Sequence, residues 1–71
     1  MKISDLYKEY LDKIVIVRMN DDIKFSSKLI MFSDDGAYGY FENSYNTIFK
    51  HRLEDITFIR EVAKWDLPKK F

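Results

Sequence analysis

The sequence predicts a mainly β fold: a short N-terminal α-helix, then a five-stranded, strongly bent antiparallel sheet closed into a small barrel. Three observations carry this. Helical spacing of apolar residues is confined to the N-terminal segment. From Lys13 onward the apolar residues are mostly β-branched or aromatic and recur in short runs separated by Asn, Asp, Ser and Gly. The chain has 71 residues and no cysteine, so one core must form without disulfides, and closing the sheet on itself removes exposed edges.

Ile3, Leu6, Tyr7, Tyr10 and Leu11 follow the i, i+3, i+4, i+7, i+8 spacing of one helical face, which places the helix at residues 4–12. Ser4 or Asp5 suits its N-cap, and the Asp5 carboxylate suits the positive end of the helix dipole. Residues 13–19, rich in Ile and Val, read as a strand covered on both faces. Asn20-Asp21-Asp22 is turn chemistry. Ile23, Phe25, Leu29 and Met31 then alternate with Lys24, Ser26 and Lys28 in a long second strand, 23–32, with Ser26-Ser27 at its bend.

Asp34-Asp35-Gly36 is the next turn, with Gly36 suited to a positive φ. The third strand, 37–43, sets Tyr38 and Tyr40 on one face and Ala37, Gly39 and Phe41 on the other. Asn43-Ser44 turns into a fourth strand, 45–50; residues 52–55 fit a single 3-10 turn, and 56–62 form the fifth strand. The segment 63–71, with Pro68 and three lysines, is expected to be irregular, its Trp65 folding back onto the barrel. The expectation is thus one domain over 1–71: helix 4–12, barrel 13–62, tail 63–71.

Lys+Arg 12 against Asp+Glu 12 gives no net charge, which argues against a basic protein that coats duplexes and against an acidic DNA mimic. The unbroken apolar runs, 14–17 and 29–32, are too short to span a bilayer, so a cytoplasmic protein without membrane contact is expected. Six Phe, five Tyr and one Trp can supply a large packed area at modest entropic cost, and a core this small invites self-association.

The helix running into Lys13-Ile14-Val15-Ile16-Val17, the long bent strand 23–32, and the closing Arg52-Leu53-Glu54-Asp55-Ile56-Thr57-Phe58-Ile59 resemble the Sm-like family of small β-barrels, whose strand plan is SH3-like. The likeness runs from Leu6 to Val62. It implies a helix, five bent strands and a 3-10 turn before the last one, and with them binding of single-stranded RNA. The family's RNA motif is not matched. Asp21-Asp22 stands where such binders carry a glycine, and Ser33-Asp34-Asp35-Gly36-Ala37 lacks the asparagine of the uridine-contacting turn.

No P-loop, dinucleotide fingerprint or nucleophile elbow is present, so no enzyme, catalytic residue or cofactor is expected. His51, the single histidine, sits between Lys50 and Arg52 with no second His or Cys to complete a metal site. It reads as an exposed polar residue, or as a contact to phosphate or to a partner. The pairs Asp21-Asp22 and Asp34-Asp35 read as turn formers rather than a carboxylate dyad. Tyr38 and Tyr40, with Tyr45 and Phe49 across the hairpin, read either as a stacking platform for bases, with Lys50, Arg52 and Arg60 for phosphates, or as packing and a subunit interface. Acids interspersed among the bases favour the second. Lys64, Lys69 and Lys70 read as a solvated terminus.

The function expected is therefore a non-catalytic interaction module working through protein–protein contacts and self-association into a homo-oligomer. Heavy use of Lys, Ile, Asn, Tyr and Phe, whose codons are AT-rich, fits a bacterium or its phage, and with it an inhibitor of a host system. The alternative is an Sm-like single-stranded RNA or DNA binder. A third is an oligomer that sequesters a nucleotide or small ligand at its subunit boundaries.

Overall fold

A computed structural model describes residues 2–62. A 3-10 helix, Ile3–Tyr10, leads into five strands: β1 Ile14–Met19, β2 Lys24–Phe32, β3 Tyr38–Glu42, β4 Ile48–Arg52 and β5 Ile56–Glu61. A single 3-10 turn, Leu53–Asp55, joins β4 to β5. All pairings are antiparallel, in the order β4-β3-β2-β1-β5. The mainly β class, the leading helix and the five strands stand as the sequence predicts.

The helix is wound more tightly than the expected α-helix. Its turns close by i to i−3 bonds: Asp5 N–H to the Lys2 carbonyl (3.0 Å) and Leu11 N–H to the Lys8 carbonyl (3.1 Å). Both ends are anchored. The Ser4 N–H donates to the Gly36 carbonyl (3.1 Å), and the Asp12 N–H donates to the Leu29 carbonyl (2.7 Å). Over eight residues a 3-10 helix spans about 16 Å where an α-helix spans about 12 Å, so the tighter winding bridges the two anchors. Its three-residue period also changes the buried face. Ser4, Tyr7 and Tyr10, at i, i+3 and i+6, turn inward beside Ile3, while Leu6 is 63% exposed. Neither Ser4 nor Asp5 is the N-cap. Lys2 holds that position, and its N–H donates to the Asp5 carboxylate (3.2 Å).

β2 belongs to two ladders. Ser26 and Ser27 stand opposite Ile16 and Val15 of β1, Lys28 faces both Ile14 and Glu42, and Leu29 faces Phe41 of β3. The changeover follows directly on the serine pair, and the register slips between Leu29 and Met31. The sheet is nevertheless not closed: β4 and β5 are its two edges and do not pair. The reason lies in the connection: the three-residue turn Leu53–Asp55 makes no hairpin, and β5 pairs with β1 while β4 pairs with β3, which leaves both as edges. The closed barrel expected from the sequence is therefore an open, curled sheet.

The core is Val15, Val17, Met19, Leu29, Phe41 and Leu53, with Ile3, Tyr7, Tyr10, Phe25, Phe32, Ile56 and Ile59 packed against it. Gly39 lets the Leu53 side chain in: a Cβ there would lie 3.0 Å from Leu53 Cδ2. At the β2–β3 turn Gly36 has φ 74°, and a Cβ would lie 2.7 Å from both Lys2 Cβ and Ser4 Oγ. The β3–β4 loop is longer than a two-residue turn. The Asn43 side-chain oxygen accepts from the N–H groups of Tyr45 (2.9 Å) and Thr47 (3.0 Å), and Asn46 takes φ 66°. β4 accordingly begins at Ile48 rather than at residue 45. Trp65, Lys64, Lys69 and Lys70 fall outside the described residues. Among the described residues no helix is long and apolar enough to cross a membrane.

Candidate functional site

Strand alternation divides β4 between the two faces of the sheet. Lys50 faces Tyr40 and Arg52 faces Tyr38 on the convex side, whereas Phe49 and His51 face Phe41 and Gly39 on the concave side. On the concave side the rings converge. His51 stacks on Phe25 with centroids 4.7 Å apart and planes at 23°, and Phe41 meets Phe25 edge-on at 5.6 Å and His51 at 5.7 Å. Phe49 lies 6.4 Å from His51 at the rim.

These rings border an open hollow of about 250 Å³, lined by Ile23, Phe25, Ser26, Ser27, Phe41, Asn43, Phe49 and His51. Its walls are almost wholly apolar, and its rim is exposed: Ile23 is 57% and Phe49 47% accessible. Polar groups are few and specifically placed. The hydroxyls of Ser26 and Ser27 are buried without a hydrogen-bond partner among the described residues, Ser27 being only 2% exposed. Burial lowers the His51 pKa below the ordinary 6.5, against a weaker opposing pull from the Asp21 carboxylate. The imidazole is thus neutral at physiological pH, and a neutral imidazole offers one donor and one acceptor nitrogen. A cavity with flat apolar walls and a few polar groups is suited to a planar or branched apolar group.

The residues singled out from the sequence separate into four places. Tyr38, Tyr40, Lys50 and Arg52 do share one convex patch. Its cations are already engaged: Lys50 Nζ sits 4.7 Å from the Tyr38 ring centroid, and Arg52 pairs with Glu54. Tyr45 stands exposed in the β3–β4 loop. Arg60 lies on β5, at the far edge of the sheet, opposite Ile16. His51 is half-buried among aromatic rings rather than exposed, and Phe49 shares its face rather than that of the tyrosines. Phe25, Ile23 and Asn43 were missed as site residues. The alternation Phe41, Phe49, His51 was legible, but the approach of Phe25 from β2 depends on the curl of the sheet. The chain matches no known protein family, no curated protein and no solved structure.

Proposed function

We propose that this chain is a non-catalytic binding module that receives an aromatic or large aliphatic side chain of a protein partner in the hollow between β2, β3 and β4. The observation that carries the reading is the ring-lined concavity itself, open among the described residues beside the edge strand β4. An aromatic side chain buries roughly 150–250 Å², a gross gain of about 4–6 kcal/mol at about 25 cal/mol/Å², from which the cost of association is subtracted. β4 adds backbone donors and acceptors that an extended partner segment can pair with. The first partner to test is a second copy of the chain, since Tyr45, Ile48 and Phe49 expose large apolar groups around this edge.

Two measurements test this together. Sedimentation velocity over a wide concentration range reads self-association, with Phe49→Asp expected to shift the distribution toward monomer. Titrating isotope-labelled protein with short peptides bearing one Trp, Phe or Leu reads the hollow directly. Shifts should centre on Phe25, Phe49 and His51, and Phe49→Ala should abolish them. A concentration-independent monomer whose hollow resonances respond to none of the peptides would refute the reading.

A further inference from the structure

The convex face carries a second, chemically opposite feature at the other side of the sheet. Arg18 of β1 stands directly between Lys24 of β2 and Phe58 of β5, and Arg60 follows two residues along β5, opposite Ile16. These five side chains line an open, largely polar cleft of about 300 Å³. Like charges placed directly opposite one another on adjacent strands repel, and Arg18 and Lys24 are such a pair. The ion pairs among the described residues, Lys8–Asp5 and Arg52–Glu54, include none of the three cations. Phe58 is 42% exposed in their midst, with the Arg18 guanidinium carbon 5.9 Å from its ring centroid.

A surface that serves only solubility has no need to gather two guanidinium groups and an ammonium around an exposed ring. Guanidinium forks match phosphate oxygens in geometry, and an arginine plane beside a phenyl ring offers a flat surface for a base. We propose that Arg18, Lys24, Arg60 and Phe58 form a binding site for a phosphate-bearing nucleotide, the phosphate held by the three cations and the base against Phe58 and the Arg18 plane. The site is independent of the concave hollow. Binding relieves the Arg18–Lys24 repulsion, which couples ligand affinity to fold stability.

The test is calorimetry and thermal melting of the full chain with ATP, UMP, inorganic phosphate, a short oligouridylate and an oligoglutamate. Nucleotides should bind at least about tenfold more tightly than inorganic phosphate, given the stacking contribution. Lys24→Gln and Arg60→Gln should each weaken nucleotide binding about tenfold, the scale of one charge-assisted hydrogen bond. Phe58→Leu should weaken nucleotides but not phosphate, and Lys8→Gln, an equal charge change elsewhere, should alter neither. Without ligand, Lys24→Gln should keep or raise the melting temperature, which a purely structural lysine would not. Two sources of nucleotide are separable. A strand is indicated if the oligouridylate binds tightest and loses about 20-fold in affinity between about 50 and 200 mM salt, as expected when the three cations spread over three successive phosphates of a strand instead of gathering on one. A free nucleotide is indicated if ATP binds tightest. The proposal is overturned if no nucleotide binds, if Lys24→Gln and Arg60→Gln leave binding unchanged, or if oligoglutamate binds as tightly as the nucleotides.

Discussion

At the scale of single residues, His51 and Ser27 show how the concave face is balanced. Burial holds the His51 imidazole below its ordinary 6.5, so the folded chain refuses a proton that the unfolded chain accepts. Above about pH 6.5 both states are neutral at this position and its contribution is complete. As pH falls through 6.5 toward the lowered folded value, the unfolded state gains protons first and stability declines. The melting temperature should therefore drop between about pH 7 and about pH 5, and His51→Phe should flatten part of that slope. Ser27 tells a different story. Its hydroxyl is buried at 2% exposure without a partner among the described residues, and an unsatisfied buried hydroxyl costs on the order of 1–3 kcal/mol. Ser27→Ala should be neutral or stabilising by up to about 1 kcal/mol in urea titration, because it removes that cost and leaves only a small void. A clear loss of stability would show that the hydroxyl is engaged.

At the scale of elements, the N-terminal helix is the clearest case of context overriding pattern. The spacing Ile3, Leu6, Tyr7, Tyr10, Leu11 matches an α-helical stripe, yet the anchors at Gly36 and Leu29 draw the segment into a 3-10 helix and rotate Leu6 to solvent. The two windings make opposite predictions for neighbouring residues. Tyr7→Ala should cost about 1–3 kcal/mol, since Tyr7 packs on the core, while Leu6→Gln should stay within about 0.5 kcal/mol. Equal costs would restore the α-helical face. The β3–β4 loop follows the same logic. Asn43 was recognised as a turn residue, but its side chain caps two N–H groups beyond the turn and delays β4 to Ile48. A short polar side chain marks where a turn lies; how far it reaches depends on the strands that follow.

For the molecule as a whole, Leu53 is where the chain passes from one edge strand of the sheet to the other. It sits between β4 and β5, fully buried against Gly39, Leu29 and the rest of the core. Leu53→Ala should cost about 2–5 kcal/mol, a large share of what so small a domain can hold, and should be read as a lowered urea midpoint with an unchanged slope. A loss below about 1 kcal/mol would mean that the core collapses readily around the missing side chain. The open sheet has a further consequence. Among the described residues β4 and β5 form the two edges, with the hollow at one edge and the cationic cleft near the other.

Most of the architecture was legible because it rests on local chemistry. The Ile and Val run of β1, the alternation of Tyr38 to Phe41, the Asp34-Asp35-Gly36 turn with its positive φ, and the Leu53–Asp55 turn all depend on residues adjacent in sequence. What no local pattern contained was the pairing of β1 with β5, which brings Arg18 beside Phe58, and the curl that stacks Phe25 on His51. Those contacts join residues dozens of positions apart, and strand alternation says which side a residue faces but not which neighbour it meets there. Secondary structure and faces thus follow from the order of the amino acids, whereas the openness of the sheet and the composition of both clefts follow from how its strands are arranged in space, because long-range pairing, β5 with β1 rather than with β4, decides which strands are neighbours and which are edges.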